Sequence, residues 1–186
     1  MLSIFDVVMS PCKTIIQKAR EVWPEVYILW FAMVGQIVSL ATPYWSITSS
    51  GYSGLWKECR AGECIGVFEY GDPSHWLRCV QIVVCLSLPL TLLSAIFLLL
   101  ASTRTNTNCS TPGGFASLTA GCMLLLGGGF YGYQQNDASA IGWSLLVSVI
   151  SGCMCVFCST RMIINCIKRE DEIEVQKVFK PGPTNL

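Results

Sequence analysis

"SGLWKECRAGEC", residues 53–64, is a hydrophilic island in an otherwise oily chain. A Gly-Leu-Trp and two cysteines five residues apart sit there, and the reading of the fold turns on what holds them. Outward from this stretch, apolar residues dominate. The 186-residue chain is 52% apolar and 13% charged, with a mean hydropathy of +0.52. A soluble domain carries about 25% charged residues, so this chain lacks the charge to cover a water-facing surface. Composition therefore makes it a membrane protein. Its formal net charge is zero, and no basic cluster with interleaved aromatics offers a phosphate backbone a partner. Nucleic acid is not an expected partner; the lipid bilayer is.

Four apolar segments are long enough to cross a hydrocarbon core of about 30 Å, which takes ~20 helical residues. They run over residues 26–44, 79–101, 114–133 and 141–158 or slightly beyond. This divides the chain into an N-terminal segment (1–25), a four-span domain (26–167) and a tail (168–186). The connections 45–78 and 134–140 lie on one side of the membrane. No span has a charged residue or His near its middle, where pumps and voltage sensors keep them despite the cost. Lys13, Lys18, Arg20, Arg104, Arg161, Lys168, Arg169, Lys177 and Lys180 fall on the other side from Lys57, Arg60 and Arg78. The positive-inside bias then predicts both termini in the cytoplasm and the two connections outside.

Residues 1–25 do not resemble a signal peptide, since Asp6, Glu21 and Glu25 interrupt any apolar core. "SPCKTIIQKAREVW" is compatible with a short interfacial helix capped by Ser10, with Pro11 at its first position, or with a disordered leader. The interfacial reading places Ile15, Ile16 and Trp23 in the headgroups.

Topology sorts the eleven cysteines. Only Cys59 and Cys64 lie well inside an outward loop, where an oxidising compartment lets a disulfide persist. Closing so short a loop is worth roughly 2 kcal/mol by chain entropy. Gly62 can supply a positive φ between them, and the flanking "YWSITSS", "GLWKE" and "CIGVFEY" have strand composition. The loop is thus expected to be a small antiparallel sheet with a cross-strand disulfide, against the alternative of two free thiols in an irregular loop. Cys109, Cys158 and Cys166, with Cys12, lie near the inner surface, where palmitoylation competes with plain apolar packing. "CVFC", Cys155 to Cys158, has redox spacing but lies about 20 Å below the outer surface at 1.5 Å per residue, with no adjacent base. His75 is the lone histidine and borders the membrane beside Trp76. No catalytic, metal or cofactor constellation emerges, and an enzyme is not expected. Gly128 and Gly132, Ala116 and Ala120, and Ser144, Ser148 and Gly152 have spacings that let helices approach closely, within one bundle or between copies.

Trp45, then Gly54-Leu55-Trp56, Cys59 and Cys64, and Arg78 at membrane re-entry, form a W…GLW…C…C pattern. It resembles the signature of the claudin superfamily, which includes the peripheral myelin, epithelial membrane and lens fibre intrinsic membrane proteins. "IGWS", Ile141 to Ser144, resembles the start of that family's fourth span. The resemblance covers roughly Val26 to Ile167. It implies a left-handed four-helix bundle under a small extracellular sheet, all-α in its membrane part. It also implies that Trp45 and the Gly-Leu-Trp rest that sheet on the headgroups, where indoles are favoured, while Cys59 and Cys64 pin two strands. Claudins have a longer first outer loop and more widely separated cysteines; the tight pair here is more similar to the lens fibre protein. The second outer loop, "QQNDASA", is short for a claudin.

The last residues, "PTNL", place Thr184 and Leu186 in the S/T-x-Φ pattern that adds as a strand to a PDZ scaffold. The functional expectation is a plasma-membrane structural protein of cell–cell junctions that assembles with copies of itself or similar four-span proteins, shaping adhesion or paracellular permeability. Glu58, Glu63, Glu69 and Asp72 leave the first loop slightly acidic, which would favour cations in any pore. The alternatives are a tetraspan organiser or auxiliary subunit of a channel or receptor, and, further off, a thiol-redox enzyme.

Overall fold

The computed structural model describes residues 4–49, 51–60, 62–69, 74–103, 110–134 and 141–179, with side chains described for 23–49, 51–60, 62–69, 74–101, 111–134, 141–168, 171 and 175. Four helices, α1 (Ile4–Ala41), α2 (His75–Thr103), α3 (Ser110–Gln134) and α4 (Trp143–Phe179), carry a small sheet between α1 and α2. Each helix contains an apolar stretch long enough to span: Trp23–Ala41, His75–Ala101, Thr111–Gln134 and Trp143–Lys168. Packing runs round the bundle, α1 against α2 and α4, and α3 against α2 and α4.

The outer faces of these helices are apolar as well as their core, and polar side chains are enclosed among the apolar ones. Gln36, Ser39, Thr91, Ser117, Ser144 and Ser148 are fully enclosed, whereas Phe31, Ile82, Leu126 and Ile150 face outward. A soluble monomer does not expose such a continuous apolar surface; lipid does not penalise it, and Gln36, Ser39, Thr91, Ser117 and Ser144 hydrogen-bond from one helix to another. The chain is a four-span membrane protein.

The helices run beyond the expected spans at most ends, α2 starting at His75 and α3 at Ser110, and fall short at two, with α4 starting at Trp143. The first span stops at Ala41 rather than Tyr44. Pro43 has no N–H to continue the ladder and disfavours helical geometry at the residue before it. At the other end, α1 runs through Ser10 and Pro11 without a break. Ser10 therefore caps no separate interfacial helix. The fourth helix continues well past residue 158, to Phe179.

The first connection folds into a four-stranded antiparallel meander: β1 (Ser46–Thr48), β2 (Gly51–Ser53), β3 (Lys57–Arg60) and β4 (Glu63–Gly66), in that spatial order. Ser46 opposes Ser53, Tyr52 opposes Cys59, and Cys59 opposes Cys64. The turn from β3 to β4 passes through Gly62 at φ 90°. A side chain there would meet backbone strain, as the sequence anticipates. A lone bridge from Ser46 to Ile141 extends the β1 edge to the segment preceding α4.

Candidate functional site

The sheet is the part of the molecule that projects from the bundle, and its attachment explains the motif residues. Pro43 leaves the carbonyl of Ser39, four residues earlier, without its helical donor. The indole N–H of Trp45 fills that vacancy, donating to the Ser39 oxygen at 2.8 Å. The ring is fully buried, with Leu40, Leu55, Val80, Val84, Leu124, Tyr131 and Leu145, and meets Tyr131 edge-on at 5.1 Å. Trp45 is therefore a plug in the protein core, not a headgroup anchor: the missing amide at Pro43 draws it inward. Leu55 is equally buried, and its carbonyl accepts the side-chain amide of Gln81 from α2. Gly54 packs on the backbone of Pro43. Of the Gly-Leu-Trp, Trp56 alone stays exposed.

Three further devices stiffen the sheet. Cys59 and Cys64 form the expected cross-strand disulfide. Glu58 and Arg60, alternate residues of β3, form an ion pair along one face. Ser46 and Ser53 share a 2.7 Å hydroxyl hydrogen bond across β1 and β2, and Ser53 reaches the Tyr131 hydroxyl at 3.4 Å.

The "IGWS" segment stitches the start of α4 to the end of α1. Gly142 N–H donates to the Trp45 carbonyl at 2.9 Å, and Ser144 N–H to that of Tyr44 at 3.1 Å. The Ser144 hydroxyl pairs with Thr42 at 2.7 Å, and Ser39 donates to the Ser144 carbonyl at 2.8 Å. A Cβ on Gly142 would lie 1.9 Å from the Tyr44 oxygen, so only glycine fits this approach. Trp143 stacks on Tyr44, which in turn packs on Tyr52 of β2. Arg78 is half-buried in the first turn of α2.

Between the sheet and the adjoining ends of α2 and α3 lies a hollow of about 390 Å³. Its walls include Ser46, Ser53, Glu58 and Arg60, and its floor Trp76 and Tyr131.

At the far end of the bundle, Glu25 is almost wholly buried and its carboxylate lies 3.4 Å from the half-exposed guanidinium of Arg161 on α4. Arg161 also covers the Phe157 ring. Cys158 is fully buried, its thiol 3.7 Å from the Glu25 carbonyl. An acyl chain could not reach it without opening the bundle, so Cys158 drops out as a palmitoylation candidate. Cys166 is half-buried and pairs with Thr111; Cys109 lies outside the described residues, as do Thr184 and Leu186. Cys155 is enclosed with Gln36 and Thr91, whose amide and hydroxyl pair at 3.0 Å. Both thiols of "CVFC" are closed to a substrate.

The small residues serve packing within the chain. Gly128 faces Leu145 and Val149, and a Cβ on Gly121 would meet the Gly152 carbonyl at 2.8 Å. The sequence reading missed Gly121, as it missed Gln81, Tyr131 and the Glu25–Arg161 pair. Gln81 carried a legible signal, since a long amide in an apolar span needs a buried partner.

No curated protein sequence matches this chain. Residues 25–160 match the PMP-22/EMP/MP20/Claudin family, and that segment contains the plug, the clamp and the α1–α4 stitch. The chain belongs to the PMP-22/EMP/MP20/Claudin family.

Proposed function

We propose that this four-span protein is a structural component of cell–cell contacts at the plasma membrane, with the sheet outside and both termini in the cytoplasm. The observation that carries this reading is the rigid seating of the sheet. Trp45 and Leu55 plug it into the bundle, and Cys59–Cys64 clamps its outer hairpin. A platform held this firmly keeps its shape under lateral load, as an assembling contact protein requires. The exposed Ile47, Trp56 and Phe68 on and beside it offer apolar contact area to neighbouring copies or similar four-span proteins. The Lys and Arg distribution supports the orientation. A PDZ scaffold engaging Thr184 and Leu186, and acylation at Cys109 or Cys166, would tie the assembly to the inner surface. Expression in cells that lack junctions tests the reading. Concentration of the protein at cell borders is the expected result, and uniform surface staining or purely internal retention would refute it.

The brevity of the second outer connection favours a second reading, an auxiliary subunit or organiser acting within one membrane. Only 135–140 and the two residues leading into Trp143 separate α3 from α4, leaving little chain to reach an opposing cell. Co-purification of a stoichiometric channel or receptor, with unchanged electrical resistance across a monolayer, would select it. The thiol-redox reading has the least support, because Cys155 and Cys158 are enclosed.

A further inference from the structure

We propose that the hollow beneath the sheet binds the headgroup of a zwitterionic phospholipid. Its volume of about 390 Å³ falls within the roughly 300–1,000 Å³ typical of small-molecule sites. Its position specifies a membrane lipid. The floor is made by Trp76, in the first turn of a spanning helix, and Tyr131, three residues from the end of another. A site at that depth opens where phosphates and their substituents lie.

The charges specify the headgroup class. Glu58 and Arg60 both line the hollow and form one ion pair, so among the described residues the site holds one charge of each sign. An anionic headgroup would satisfy Arg60 and be repelled by Glu58. A headgroup carrying both a phosphate and an ammonium satisfies both. Arg60 is largely exposed, with its guanidinium edge available to a phosphate. The ammonium is placed against the Glu58 carboxylate and the face of Trp76, which a cation favours. The hydroxyls of Ser46, Ser53 and Tyr131 supply neutral hydrogen-bonding capacity deeper in the site.

The test uses the full-length protein in detergent, offered equal amounts of phosphatidylcholine and phosphatidylglycerol with identical acyl chains, with retained lipid read by native mass spectrometry. One phosphatidylcholine per chain should persist, in clear preference to phosphatidylglycerol. Arg60→Gln and Glu58→Gln should each lower that retention about tenfold or more, the effect of losing one charge-assisted contact. Both positions are on the sheet surface, and the unreactive Cys59–Cys64 pair serves as the check that each variant is folded. Equal retention of the two lipids, or unchanged retention in both folded variants, would overturn the proposal. Displacement by micromolar glycerophosphocholine, which has no chains, would also overturn it by assigning the hollow to a soluble ligand.

Discussion

The indole of Trp45 donates to the carbonyl of Ser39, at the position where Pro43 has no N–H to give. One residue thereby completes the end of α1, fills the core beneath the sheet and sets the direction of β1. Trp45→Phe should lose about 1 kcal/mol with the hydrogen bond, and Trp45→Ala about 3–5 kcal/mol through the cavity. Thermal melting in detergent, followed with surface delivery in cells, measures both. A Trp45→Ala protein that melts and traffics like the parent would refute the plug.

Two glycines give opposite expectations for the same substitution. Gly142→Ala forces a Cβ onto the Tyr44 carbonyl, whose backbone cannot rotate away. Overpacking of this kind costs about 1–3 kcal/mol. Gly129 has nothing within 4 Å of an added Cβ, so Gly129→Ala should be neutral or gain up to about 1 kcal/mol of helix propensity. Equal melting shifts for the two variants would contradict the close approach at Gly142.

The disulfide predicts a thiol count. Alkylation of the denatured, unreduced protein, after hydroxylamine has cleared any thioesters, should label nine of its eleven cysteines, and all eleven after reduction. Cys59→Ser or Cys64→Ser should lower surface delivery, because the surviving thiol is open to mispairing. Eleven labelled cysteines without reductant would remove the clamp.

Arg161→Met leaves the Glu25 carboxylate buried without its cation. Breaking a fully buried pair costs about 3–5 kcal/mol; the loss here should be smaller, because the half-exposed Arg161 is partly screened. Adding Glu25→Gln should restore part of the loss in a double-mutant cycle. Strict additivity of the two substitutions would show that the groups do not interact.

Acyl exchange separates the cysteines at the end of the bundle away from the sheet. Cys166→Ser should reduce any acyl signal, whereas Cys158→Ser should leave it unchanged because that thiol is enclosed. A drop confined to Cys158→Ser would mean the bundle opens at the end away from the sheet.

The spans and the clamped sheet were legible in the sequence because each rests on a local rule. Span length follows from bilayer thickness, and the Cys59–Cys64 pair from two cysteines falling together in one short hydrophilic loop outside the spans. What the sequence hid depends on partners distant in the chain. Trp45 has the composition of a membrane-edge residue, and its burial follows only once Pro43 is seen to leave Ser39 unpaired. Glu25 sits where a charge at a span end normally snorkels to water; it is enclosed because Arg161, 136 positions later, comes alongside. Gly121 meets Gly152 only after α3 and α4 cross, and a spacing rule applied to one helix at a time does not find such a pair.

The length of α4 has a mechanical consequence. Its apolar stretch ends at Lys168 but the helix continues to Phe179, which at about 1.5 Å per residue adds a stalk of some 16 Å. Anything recruited to its tip would stand clear of the lipid surface by a fixed distance, and would turn with the bundle rather than drift on a slack tether.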